Sequence, residues 1–176
     1  MNSWTNLMPR FLRAFMMGAL SVAGTIDVSA QNNYATPYTI TTLAGLAGVS
    51  GKVDGSGSAA RFFWPGGIAV DGAGNVYVGD TSNQAIRKIT PAGVVTTLAG
   101  GQLGRADGPG IAAQFWSPQG VAVDAAGNIY VADYDNGRIR KITATGQVST
   151  VPGTDKQTGI ASGLEAPTGA AVDIAG

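Results

Sequence analysis

The stretch from Pro65 to Gly100 is written again from Pro118 to Gly153, 53 positions later, with so little change that both copies must build the same unit. The first copy contains Pro65-Gly66-Gly67-Ile68-Ala69-Val70-Asp71, Gly74-Asn75-Val76-Tyr77-Val78-Gly79-Asp80, Asn83, Ile86-Arg87-Lys88-Ile89 and Gly93. The second answers with Pro118-Gln119-Gly120-Val121-Ala122-Val123-Asp124, Gly127-Asn128-Ile129-Tyr130-Val131-Ala132-Asp133, Asn136, Ile139-Arg140-Lys141-Ile142 and Gly146. A third opens at Pro167-Thr168-Gly169-Ala170-Ala171-Val172-Asp173. With this period, a chain of 176 residues has room for about two and a half units and a leader.

Each unit divides into four short apolar runs separated by turn residues. Ile68 to Val70 and Val76 to Gly79 flank Asp71-Gly72-Ala73-Gly74-Asn75, where Gly and Asn tolerate the positive φ of a tight reversal. Asp80 to Gln84 leads into Ile86 to Thr90, and Thr90-Pro91-Ala92-Gly93 leads into Val94 to Leu98. The pattern predicts a four-stranded antiparallel meander. Its runs are apolar at consecutive positions, as in Ile129-Tyr130-Val131-Ala132, so both faces of each sheet need cover. Stacking blade on blade around an axis supplies that cover, and the expected fold is all-β, made of β-propeller blades. Ala69, Ala122 and Ala171 fall on the first strand, where blades would crowd closest to the axis.

The shared string, Pro-x-Gly-Ile/Val-Ala-Val-Asp-x-x-Gly-Asn-Val/Ile-Tyr-Val-Gly/Ala-Asp-x-x-Asn-x-x-Ile-Arg-Lys-Ile, resembles the NHL repeat, in particular that of secreted bacterial proteins. The resemblance implies a β-propeller, commonly of six blades. It leaves function open, because NHL propellers include protein-binding, RNA-binding and enzymatic members. We expect an incomplete ring: an outer strand at 38–45, similar to Val94 to Gly100, then blades at 65–100 and 118–153 and the start of another at 167–176. The remaining blades would come from a longer chain or, as a rival, from further copies of this one.

The leader has the pattern of an export signal. Arg10 and Arg13 precede a short apolar stretch from Ala14 to Ala23, and Val28-Ser29-Ala30 puts small residues where a signal peptidase inspects them. We therefore expect a signal peptide at 1–30, a linker at 31–37, and a secreted, periplasmic or extracellular product without stable membrane insertion. Removal of the leader takes away Arg10, Arg13 and Asp27, leaving nine basic and ten acidic side chains, which gives no field to attract nucleic acid.

Cys and His are both absent, so disulfides, the usual zinc sites and His general bases are excluded for this chain. An EF-hand reading of Asp54-Gly55-Ser56-Gly57 or Asp107-Gly108-Pro109-Gly110 fails for want of alternating carboxylates and a final Glu, and these segments read as turns. No cofactor and no metal site are expected.

In such a meander the loop between the second and third strands lies on the same side as the crossover to the next blade, so one face collects the variable material. Asp80, Asp133, Asn83 and Asn136 read as turn residues that satisfy backbone groups. Phe62, Phe115 and Trp116 read as wedges of the crossover against the blade core. Arg87 and Arg140 could meet a partner, with pairing to a nearby Asp as the simpler role. Tyr134-Asp135 departs from Thr81-Ser82 at the equivalent turn, and recognition belongs where the copies differ. The candidate binding residues are therefore Tyr134, Asp135, Arg138, Arg87, Arg140, Trp64 and Trp116, with no catalytic residue among them.

The expected function is an exported, non-catalytic scaffold that binds a protein, peptide or glycan on this face. The alternative is part of a propeller enzyme of lactonase or lyase type whose catalytic residues lie in other blades.

Overall fold

A computed structural model describes residues 40–154 and 164–173. The expected signal peptide and linker lie outside these residues. Two five-stranded antiparallel sheets account for the regular structure. In the first, strands run from outer edge to inner edge as β1 (Gly55–Ser56), β5 (Val94–Gly100), β4 (Ala85–Ile89), β3 (Val76–Asp80) and β2 (Pro65–Val70). The second repeats the order with β6 (Gly108–Pro109), β10 (Gln147–Thr150), β9 (Arg138–Ile142), β8 (Ile129–Asp133) and β7 (Pro118–Val123).

The four-strand meander is therefore present in each blade, with one addition. The Asp-Gly-x-Gly segment of the crossover supplies two residues that pair antiparallel with the outer strand, Gly55 opposite Val95 and Gly108 opposite Val148. This occupies the edge that would otherwise be open for pairing with another chain. Residues 40–45, where an outer strand was expected, are irregular. An outer strand here was expected to complete the sheet of the last blade of the ring, and Gly55–Ser56 pairs with the outer strand of the first blade. Residues 167–173 are likewise outside regular strands.

The first turn of each blade is held by its aspartate. Asp71 Oδ1 accepts from the backbone N–H groups of Ala73 and Asn75, while Oδ2 accepts from Asn75 Nδ2 at 2.8 Å and the Tyr77 hydroxyl at 3.0 Å. Asp124 does the same with Asn128 and Tyr130. An Asx side chain here replaces the backbone partners that a reversal removes.

One core lies between the blades. Tyr77, Ile86 and Ala99 of the first sheet pack with Val121, Ile129, Val131, Ile142 and Val148 of the second, and Phe115 of the crossover closes the end. The inner strands meet at glycine. A Cβ on Gly67 would stand 2.9 Å from the Gly120 Cα, one on Gly79 would stand 2.5 Å from the Gln119 carbonyl oxygen, and one on Gly120 would stand 2.5 Å from the Gly169 Cα. At these glycines adjacent blades approach at backbone distance. Ala69 instead packs against the interblade core, because side chains alternate along the strand and its Cβ points across the sheet face.

Candidate functional site

The β3–β4 turn and the crossover do share one face, and a buried ion cluster fastens them together. Asp80 Oδ1 accepts from the Phe63 N–H at 2.8 Å, and its Oδ2 accepts from Asn83 Nδ2 and Arg87 Nη1. Arg87 Nη1 also donates to the Arg61 carbonyl, and Nη2 donates to the Val53 carbonyl and to Asp54 Oδ1. The guanidinium lies over the Phe62 ring, 5.1 Å from its centroid. The second blade repeats every part with Asp133, Trp116, Asn136, Arg140, Gln114, Ala106, Asp107 and Phe115.

Arg87 and Arg140 are both 0 % exposed. Of the two roles expected for them, the geometry shows the pairing with Asp and corrects the partner-facing one: a guanidinium with four acceptors and an aromatic face is a structural clasp within the blade. Burial works against the Asp54 carboxylate, yet hydrogen bonds from the Thr97 N–H and Arg87 outweigh it and hold its pKa below the ordinary value. Arg138 is also buried and donates through Nη1 to the Thr150 hydroxyl.

Trp64 and Trp116 are exposed, and of the three expected crossover wedges only Phe62 and Phe115 lie against the clasp arginines. Trp64, Ser117 and Ala166 hold the same place before the proline of successive units, and all three have φ near +50°. This recurrence puts the third unit in register with the other two, with Glu165 where the earlier units have Phe63 and Trp116.

Two side chains latch the first blade to the second on this face. The Thr81 hydroxyl donates to the Pro118 carbonyl at 2.8 Å, and Gln84 Oε1 accepts from the Ser117 N–H at 2.7 Å. The second blade lacks both latches, because Tyr134 and Gly137 stand at the equivalent positions. Gln84 and Gly137 share a left-handed backbone, φ 55° and 62°, so the exchange removes a side chain without changing the turn. An open depression of about 300 Å³ lies where the latches would be, lined by Tyr134, Asp135, Asn136, Gly137, Glu165 and Ala166.

The structure thus brings Tyr134 and Asp135 together at a concave site, and leaves Arg87, Arg140, Arg138, Trp64 and Trp116 outside its lining. Sequence reasoning missed Glu165 and Gly137, and read Asn136 as a turn residue of this face. The signal for Gly137 was present in the replacement of Gln84, whereas the place of Glu165 required the shorter third spacing to be resolved.

Sheets of this order, packed face to face with their first strands innermost, define β-propeller blades. The NHL repeat model matches residues 62–89 and 115–142, so the chain carries two NHL repeats. It is 33% identical over 131 residues to peptidyl-alpha-hydroxyglycine alpha-amidating lyase 1 of Drosophila melanogaster, covering 74% of this chain and 24% of that protein. It is 40% identical over 119 residues to NHL repeat-containing protein 2 of Bos taurus, covering 63% of this chain and 16% of that protein. Among solved structures, an auxiliary nutrient binding protein from Bacteroides thetaiotaomicron aligns with a TM-score of 0.53 and 31% identity, over 61% of this chain and 28% of its own. The chain spans a quarter or less of these curated relatives. No helix among the described residues is long and apolar enough to cross a membrane.

Proposed function

We propose that this chain is a non-catalytic binding module of an exported β-propeller, taking a protein, peptide or glycan on the face formed by the β3–β4 and β8–β9 turns and the crossovers. The observation that carries this reading is the depression at Tyr134 to Gly137, which lies where the second blade replaces both latching side chains of the first. Binding residues gather on loops held by a rigid frame, and here the frame is repeated while the loop differs. Similarity to a nutrient-binding propeller supports the binding reading, and the Arg10 to Ala30 leader supports export. The lyase relative is the support for the enzymatic alternative, in which this chain is one part of a catalytic ring.

The test is to probe the immobilised full chain against glycan and peptide arrays. Binding should be lost in Tyr134→Ala and Asp135→Ala and kept in Ala144→Lys, which alters a turn at the opposite end of the blade. Dependence on Ala144 with indifference to Tyr134 and Asp135 would move the site off this face, and turnover of an array ligand would favour the enzyme. Export is checked separately by sequencing the N-terminus of the product from its host, which should begin at Gln31.

A further inference from the structure

We propose that residues 41–46 and the cleft beside them take an extended peptide strand of another polypeptide, one that carries an isoleucine to fill the cleft against Phe62. This goes beyond the loop-face reading and does not rest on it, since the cleft shares no lining residue with the depression at Tyr134.

The first observation is a repeated placement. Thr41-Thr42-Leu43-Ala44-Gly45 has the same sequence as Thr96-Thr97-Leu98-Ala99-Gly100 of β5, and the two runs stand alike on successive blades. Gly45 and Gly100 both have positive φ, 100° and 78°. A Cβ on either would meet the same edge of an equivalent ring, Phe62 at 3.3 Å and Phe115 at 2.6 Å. Ala44 joins the apolar cluster of Phe62, as Ala99 joins that of Phe115. Residues 41–45 therefore lie on the first blade where β5 lies on the second.

The two places differ in what pairs with them. Along β5 runs β4, with Ala85 opposite Gly100 and Ile86 opposite Ala99. The Gln84 carbonyl accepts from the Gly101 N–H at 2.7 Å, and Gln84 Oε1 accepts from the Ser117 N–H. Ile86 is wholly buried in the cluster that holds Ala99, Phe115 and Val121. Thr41 to Ala44, by contrast, make no backbone hydrogen bond among the described residues, and the N–H groups of Leu46 and Trp64, the counterparts of Gly101 and Ser117, make none either. Only the Gly45 N–H is engaged, by the Gly57 carbonyl at 3.0 Å. A row of unpaired backbone donors and acceptors is a template for strand addition.

Where Gln84 to Ile86 would stand, there is an open cleft of about 480 Å³, lined among others by Thr42, Ala44, Gly45, Leu46, Phe62 and Pro65. No charged side chain lines it, so it suits an apolar side chain carried between backbone bonds. The junction of the two blades shows which one. Its occupant is Gln84-Ala85-Ile86, and the second blade has Gly137-Arg138-Ile139 at the equivalent place, which leaves isoleucine as the shared element. The arginine that follows is not part of the recognition, because Arg87 pairs with Asp54 and Asp80 of its own blade.

The experiment is titration of the full chain into a fluorescein-labelled peptide, Gln-Ala-Ile-Arg-Lys-Ile, followed by fluorescence anisotropy. The peptide should bind, and exchange of its first isoleucine for serine, which keeps length and charge, should weaken binding roughly tenfold. Leu46→Pro removes the N–H that would receive the first peptide carbonyl and should weaken binding about fivefold at an unchanged melting temperature. If that variant does not fold, the two peptides on the parent chain still decide. No binding at millimolar concentration, or equal affinity for the isoleucine and serine peptides, would overturn the proposal. So would binding that survives Leu46→Pro but is lost in Ile68→Lys, because the peptide would then lie on the sheet face of β2. Release of the peptide as the chain self-associates would make a second copy the occupant and overturn it as well. None of these failures touches the loop-face reading, whose test depends on Tyr134 and Asp135.

Discussion

Arg87 Nη1 lies 2.7 Å from Asp80 Oδ2 with both side chains wholly withdrawn from solvent, and Arg140 repeats the contact with Asp133 at 2.9 Å. Removing one partner of a buried pair leaves a charge that water cannot reach. Asp80→Ala should therefore cost about 3–5 kcal/mol, including the lost hydrogen bonds to Phe63 and Asn83. Asp54 touches the same guanidinium but is about half exposed, and Asp54→Ala should cost about 1 kcal/mol. Urea denaturation of the two variants checks the contrast; equal losses would show that burial does not set the strength of the clasp.

The turn aspartates give the protein a defined acid response. The side-chain hydrogen bond from Asn75 is the largest influence on Asp71; burial opposes it, and further donors including the Tyr77 hydroxyl bring its pKa from 3.8 down to about 2. A depressed carboxyl stabilises the fold fully above the unfolded value and loses that contribution as pH falls from about 4 through about 2. Asp124 is lowered in the same direction, chiefly by Asn128. Asn75→Ala should move the Asp71 midpoint back toward 3.8 in a carboxylate NMR titration.

At the other end of the scale, burial and then Asp71 push the Tyr77 hydroxyl up to about 12. A raised group contributes fully below its unfolded pKa, so this contribution is present below about pH 10 and is lost as pH rises through about 12. Asp71→Asn should lower the Tyr77 midpoint measured by ultraviolet absorbance.

Gly79 and Gly72 should respond in opposite ways to alanine. A Cβ on Gly79 would meet the Gln119 and Pro118 carbonyl oxygens at 2.5 and 3.0 Å, which belong to the neighbouring blade's backbone. Gly79→Ala should cost about 1–3 kcal/mol by forcing the blades apart. Gly72 has open space around its Cβ position and no positive φ, so Gly72→Ala should be neutral or stabilise by about 0.4–1 kcal/mol. Thermal unfolding of both variants decides the point.

Ile68 and Val121 occupy equivalent places, yet Ile68 is 65% exposed and Val121 only 7%. Val121 is covered by the first blade, and among the described residues nothing comparable covers Ile68 or its neighbour on the same face, Val70. An exposed apolar sheet face promotes association. Light scattering should show the chain self-associating, and Ile68→Lys with Val70→Lys should suppress this with little change in stability; a monodisperse parent chain would contradict it.

The blade was legible because its determinants are local. Asp71-x-x-Gly74-Asn75 specifies its turn by bonds within five residues, and Val76 to Asp80 and Ala85 to Ile89 pair across a short loop. The ends of the chain were less legible. The run at 38–45 has the composition of an outer strand, but strand formation depends on a free edge, and the edge expected for it belongs to another blade of the ring. The loop-face site was half legible: Tyr134 and Asp135 stood out as differences between copies, while Asn136 looked like a shared turn residue.

From the sequence alone come the repeat, the antiparallel blade, the export-like leader and the face on which the variable turns gather, because each follows from spacing and turn chemistry along one stretch of chain. Tertiary structure decided what depends on surroundings. Arg87 and Arg140 became buried clasps once the crossover brought Asp54, Asp107 and backbone carbonyls around them. Gly67, Gly79 and Gly120 became the places where blades meet backbone to backbone, which only the distances between blades reveal. The depression opened between the second blade and the third unit because Glu165 and Asn136, 29 positions apart, meet only after the blades have stacked.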